Sequence, residues 1–180
     1  TNTNRDGSLK FYTNHYDVSN TAGVGMINTY INYNTSRQNE KYYFMTKNAD
    51  GTYNGAQALS LDEDETTDML IDYFSYYIEE VGIDAVRLDK STSLKYHYEY
   101  KDRQRQAKDG VPRVGITEAK YVVNFYRIWD TLYEKYPRFF LDNCSSGGRR
   151  IDIEMAKRGY PLWRTDKNND NEANQAMTQY

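Results

Sequence analysis

Between Leu141 and Asp166 the chain reads LDNCSSGGRRIDIEMAKRGYPLWRTD: a short apolar run, a turn of small residues, a polar-faced helical stretch and a second apolar run that stops at an acid. Strand, loop, helix and strand in that order make an α/β unit. In parallel α/β folds, ligands are bound and chemistry is done at the carboxyl ends of the strands. Here those ends carry Asp142, Asn143, Cys144 and the pair Gly147 and Gly148 on one side, and Arg164 and Asp166 on the other.

The same alternation extends backwards. Ala58, Leu59 and Leu61 suggest a short strand, and the acids Asp62 to Glu65 gather where a helix should start, since they favour the positive end of its dipole. Met69, Leu70, Tyr73, Phe74, Tyr77 and Val81 recur at helical spacing, and Gly82 closes that helix. Ile83 to Leu88 is a mostly apolar run ending at Asp89, so a parallel strand is expected with Asp89 at its carboxyl end. Residues 91 to 116 are polar, carry both charges and show no usable period; they read as a solvated loop, or as a long loop over a functional face. A helix from Thr117 follows, its stripe running from Tyr121 to Tyr136, and Pro137 stops it. Residues 1–58 show only weak alternation around Met26 to Tyr33 and Tyr42 to Met45, with a turn at Asn48 to Gly51. The order from Ala58 is that of half a (β/α)8 barrel or of part of an open sheet.

Length and composition set limits on this reading. The 180 residues fall short of the roughly 250 of a complete barrel, and the first residue is not Met, so a piece of a longer protein is expected. With 23 basic and 26 acidic residues and a net charge of -3, there is no electrostatic footprint for nucleic acid. No apolar run approaches the roughly 20 residues that span a bilayer. Cys144 is the single cysteine, so no intrachain disulfide forms and the compartment stays undetermined, cytoplasmic or secreted.

Asp89 and Asp166 are the candidate reacting groups. On strands separated by one intervening strand they would face each other across a barrel mouth. Glycoside hydrolysis needs such a pair, one carboxylate to attack or activate water and one acid for the leaving oxygen. Helix caps, ion pairs and an all-carboxylate Mg2+ site built from Asp89, Asp142 and Asp166 are the competing readings. Arg87 lies two residues before Asp89 on the same strand face and either keeps that acid ionised or forms a structural ion pair; Arg164 and Asp166 repeat the spacing. The Gly pair would admit a ligand close to backbone. Cysteine catalysis is disfavoured because the two histidines, His15 and His97, lie outside the regular βα core. Trp129 reads as core, whereas Trp163 beside the last strand end is a candidate to stack on a sugar ring.

Three blocks, GITEAKYV, DNCSSGGRRIDIE and PLWRTD, then carry a resemblance. From about Leu59 to Tyr180 the chain resembles the catalytic barrel of glycoside hydrolase family 36, the bacterial α-galactosidases of clan D. The resemblance implies an α/β fold, a partial (β/α)8 TIM barrel of about strands three to six that is incomplete without the rest of the chain. It divides the chain into residues 59–180, the central part of the barrel, and residues 1–58, an N-terminal part or insertion. It implies a retaining glycosidase in which Asp89 is the nucleophile and Asp166 the general acid/base. Cys144 and Gly147 match sugar-contacting positions and Arg87 the place of a substrate-binding Lys. Asn143, Gly148, Arg149, Asp152, Trp163 and Arg164 complete the candidate substrate-binding set. The implied partner is an oligosaccharide or α-galactoside; no metal, cofactor, nucleic acid or membrane is expected, and homo-oligomerisation of the longer protein is left open. The isolated 180 residues are expected to be inactive. Around the nucleophile the family often reads KWDMN, where this chain has Arg87, Leu88, Asp89, Lys90 and Ser91, and Glu63 stands where Arg or Asn is common. A carbohydrate-binding or structural module without turnover is the alternative.

Overall fold

The computed structural model describes residues 2–3, 9–10, 42–47, 49–50, 53–88, 94–167 and 171–172. Asp89, Lys90, Ser91 and the stretch from Met26 to Tyr33 lie outside the described residues. A two-residue ladder pairs β1 (Asn2–Thr3) with β2 (Leu9–Lys10). Next, β3 (Tyr43–Lys47) and β4 (Tyr53–Leu59) form an antiparallel hairpin around a turn at residues 49–50. The strand expected at Ala58 to Leu61 is therefore the end of a hairpin arm, not a parallel strand. Its last cross-strand bond runs from the Ser60 amide to the Tyr42 carbonyl, after which the Glu63 amide bonds to the Ser60 carbonyl and the chain turns toward the helix.

Helix α1 (Asp64–Tyr76) opens with Asp64 and Glu65 in its first turn, as the dipole favours. A π-turn at Tyr77–Val81 prolongs it, and Gly82, with φ of 78°, ends it in the left-handed conformation that glycine adopts without strain. The chain then enters β5 (Ala85–Leu88). Helix α3 (Ile116–Lys135) leads into β6 (Phe140–Asn143), which pairs in parallel with β5 in the register Ala85 to Phe140 and Arg87 to Asp142. Helices α1 and α3 cover the sheet from one core. Trp129, 1% exposed, stacks on Phe139 and tilts against Phe74, while Ile128, Leu132 and Leu141 are fully buried around it.

The segment from 91 to 116 is not a loop where it is described. Helix α2 (Lys95–Asp109) occupies most of it, running between Leu94 and the left-handed Gly110. Its inner face is Leu94, Tyr98, Lys101, Asp102 and Arg105, a helical spacing written in aromatic and charged residues instead of an apolar stripe. Charge holds that face down. The Asp62 carboxylate, with no exposed side-chain surface, takes Lys101 Nζ at 2.7 Å, Arg105 Nη2 at 2.8 Å and the Ser60 hydroxyl at 2.7 Å. Glu63 is bound by the same two cations at 2.8 and 2.7 Å, so its carboxylate is already engaged. A buried carboxylate persists only when paired and hydrogen-bonded in this way.

Helix α3 receives its N-terminal cap from α2. Gly115 in the N-cap position offers no side chain, and Asp102 Oδ1 instead accepts from the Thr117 amide at 3.0 Å and the Thr117 hydroxyl at 2.6 Å. Burial alone would raise the Asp102 pKa, but the bonds from Thr117, Gly115 and Ile116 outweigh it and hold the carboxyl below its ordinary value. A depressed folded pKa stabilises the fold above the unfolded value, near 3.9, and the contribution is lost as pH falls through the folded value. Asp102→Asn is thus expected to destabilise the full-length protein near neutrality by about 1.5–3 kcal/mol. In thermal melts the gap between wild type and variant should close below about pH 4; a gap independent of pH would show that the charge contributes nothing.

Candidate functional site

The carboxyl ends of β5 and β6 lie side by side, and the turn after β6 is stitched to both. The Cys144 amide bonds to the Leu88 carbonyl at 2.9 Å, and the Asn143 amide to the Tyr160 carbonyl at 3.1 Å. Cys144 is fully buried and in no disulfide. Two single-turn helices, α4 (Ser145–Gly148) and α5 (Ile153–Ala156), replace the one helix expected here. Asp152 caps α5 through the Met155 amide at 2.9 Å, so its carboxylate has a structural task. Arg149 is exposed.

A third parallel neighbour begins at Tyr160, bridged to Asp142, and goes no further. The expected strand to Asp166 is absent: residues 161–167 follow no regular element. The cause lies in Asp142. Its Oδ1 takes the Leu162 amide at 3.0 Å, the donor that would have continued the ladder, while its Oδ2 pairs with Arg87 Nη1 at 2.5 Å. Both oxygens are occupied, which leaves Asp142 poorly suited to a Mg2+ site. Among the described residues no cluster of His, Cys, Asp or Glu is arranged to hold a metal.

Glycine brings the last segment onto the turn. Gly147 and Gly148 have φ of 78° and 88°. A Cβ on Gly147 would stand 2.8 Å from the Asp166 amide nitrogen and 3.0 Å from its carboxyl carbon; one on Gly148 would stand 2.5 Å from the Arg164 carbonyl oxygen. Asp166 is thereby seated against the small-residue turn at the carboxyl ends of β5 and β6. Its Oδ1 accepts from Trp163 Nε1 at 3.0 Å, and the Trp163 ring lies 5.9 Å from the Arg87 guanidinium carbon. The structure thus gathers Arg87, Asp142, Trp163 and Asp166 into one chain of contacts beside Gly147. Arg164 is exposed and meets the turn through its carbonyl.

Sequence reasoning passed over Ser145 and Arg150. Ser145 is buried with φ of 52°, a left-handed value unusual for a side-chain-bearing residue, and its hydroxyl has no partner. Arg150 Nη1 and Asn143 Oδ1 are likewise buried and unpartnered, although the Asn143 amide nitrogen donates to the Arg150 carbonyl at 2.9 Å. The Arg150 guanidinium lies 5.3 Å from the Phe125 ring centre, and burial lowers its pKa. Burial also pushes the phenols of Tyr98 and Tyr121 up, so they stay neutral donors. Two adjacent arginines gave no hint which would turn inward; the signal lay in the aromatic spacing of Tyr121 and Phe125. A surface hollow of about 280 Å³ near Ile78, Asp84 and Phe139 lies at the opposite, amino end of the strands.

An α/β chain with polar groups collected at the carboxyl ends of parallel strands defines the class. The chain belongs to the melibiase family, whose model matches residues 28–180. It is 31% identical over 110 residues to an α-galactosidase of Escherichia coli, covering 61% of this chain and 14% of that protein. It is 25% identical over 122 residues to the bifunctional α-galactosidase/sucrose kinase AgaSK of Mediterraneibacter gnavus, covering 68% of this chain and 11% of that protein. Among solved structures it is similar to the α-galactosidase of Lactobacillus brevis, with a TM-score of 0.48 and 21% identity over 68% of this chain and 15% of the other. The chain therefore spans about a seventh of the length of the E. coli relative.

Proposed function

We propose that the protein is a retaining glycoside hydrolase that removes terminal α-linked galactose, or a related α-glycoside, from an oligosaccharide. The observation that carries this reading is the seating of the Asp166 carboxyl against Gly147, at the carboxyl ends of two parallel strands, in a chain of the melibiase family. Asp89, one residue beyond the end of β5, attacks the anomeric carbon. Asp166 protonates the departing oxygen and then activates the water that releases the glycosyl-enzyme. Arg87, Gly147 and Gly148 contribute to the sugar-binding surface, and the buried Asn143 and Cys144 support the turn that carries it through their main-chain bonds to Tyr160 and Leu88. Residues 59–180 are the central part of a (β/α)8 barrel, and residues 1–58 an earlier part or an insertion; β5, β6 and Tyr160 supply three adjacent parallel positions of its wall.

The test uses the full-length protein and a panel of aryl α-glycosides, with the anomer released first read by NMR. Hydrolysis of the α-galactoside with α-galactose appearing first is the expected result, matching carboxyl groups about 5–5.5 Å apart. First release of β-galactose would require a wider pair, roughly 6.5–9.5 Å apart, and would overturn the mechanism. Sugar binding without hydrolysis of any member of the panel would make the protein a carbohydrate-binding module instead.

A further inference from the structure

We infer that Trp163 is a positioning residue for the Asp166 carboxyl, and that the Arg87–Asp142 pair holds Trp163 in place. The inference rests on the reading of Asp166 as the general acid/base. An indole has a single donor and no acceptor, so its bond at 3.0 Å selects one oxygen, Oδ1. The other oxygen, Oδ2, lies on the Gly147 side, 3.2 Å from where a Cβ would stand. With one oxygen tied to Trp163 and the carboxyl carbon abutting the turn, rotation of the carboxyl group is restricted and Oδ2 is the oxygen left to face a ligand.

Trp163 is in turn fixed at two points, and both lead to Asp142. Its ring lies over Arg87, whose Nη1 is bound by Asp142 Oδ2, the direct cross-strand neighbour in the β5–β6 register. Its backbone neighbour Leu162 donates to Asp142 Oδ1. One carboxylate buried beneath the site thus anchors both the ring and the chain segment that presents Asp166. Arrangements of this kind govern an acid catalyst because proton transfer demands correct placement of the proton against the leaving oxygen.

A residue that only orients the acid leaves a signature that stacking on the sugar does not. Its loss should matter more as the leaving group becomes more basic, since an acidic phenol departs without a proton. The experiment is kcat/KM of full-length Trp163→Phe on two α-galactosides, one with a strongly acidic nitrophenol leaving group and one with an alkyl leaving group. Phenylalanine keeps an aromatic face and removes the N–H. The expected result is a loss of about tenfold on the alkyl substrate and of less than about twofold on the nitrophenyl one. Equal losses on both, or none on either, would overturn the proposal. Asp142→Asn, which retains an acceptor for Leu162, should show the same selectivity at smaller size, and a uniform loss there would also count against it. Asp166→Ala separates the two levels. Strong leaving-group selectivity in Asp166→Ala without any in Trp163→Phe rejects the positioning role alone, whereas no selectivity in Asp166→Ala rejects the acid/base assignment itself.

Discussion

Asp89→Ala in the full-length enzyme is expected to lower kcat on an aryl α-galactoside by on the order of 10⁴-fold, the scale on which enzymes respond to loss of a reacting side chain. The reason is that a covalent nucleophile divides one difficult substitution into two easier ones, and the alanine side chain offers no atom to take its place. Azide should restore turnover, because the small anion fits the space left by the carboxylate and needs no proton removed. It attacks from the face that Asp89 occupied, so the product is the β-galactosyl azide, inverted relative to the substrate. Arg87, two residues earlier in the sequence, is unchanged in this variant, so the proposed substrate contact is retained. Unchanged turnover, or azide product of retained configuration, would remove Asp89 from the mechanism.

Gly147→Ala is expected to reduce kcat/KM by about 10²-fold, the cost of misplacing a catalytic group by roughly 1 Å. Two causes act together. With φ of 78°, the position is strained for alanine by about 1–2 kcal/mol. The new methyl group would also stand 2.8 Å from the Asp166 amide nitrogen, a backbone atom that yields only if the whole 164–167 segment shifts. Gly110→Ala isolates the first cause. Gly110 has nearly the same φ, 74°, but nothing within 4 Å of the new atom, so it should cost stability and leave kcat/KM unchanged. Equal effects of the two variants on kcat/KM would mean that contact with Asp166 is irrelevant to catalysis.

Helices α1 and α3 were legible because their burial is apolar and periodic. Met69, Leu70, Tyr73 and Phe74 face the core from α1, and Ile128, Trp129 and Leu132 from α3. Strands β5 and β6 were visible as short apolar runs bounded by Gly82, Pro137 and the acids that follow. Helix α2 escaped because Lys101, Asp102 and Arg105 sit on its inner face, where a hydropathy pattern registers only polarity. The hairpin was read in pieces, since nothing local announces that the weak alternation from Tyr42 to Met45 pairs with residues 53–59. The candidate site divides in the same way. The Gly pair follows a strand as its place in an α/β unit suggests, whereas Asp166, expected at a strand end, lies in irregular chain packed on Gly147. The Arg87–Asp142 pair spans 55 positions of sequence, and the Trp163–Asp166 bond occurs in irregular chain, so neither leaves a periodic trace.

The capture of the Leu162 amide by Asp142 changes the kind of contact that holds this region. Up to Tyr160 the chain is held by main-chain bonds to Leu141 and Asn143. From Leu162 onward, among the described residues, the hold passes to the Asp142 carboxylate, to the Arg87 guanidinium beside Trp163 and to packing on the Gly pair. Asp166 is thus carried by a segment whose place is set by side-chain contacts and by close packing on glycine, not by strand pairing.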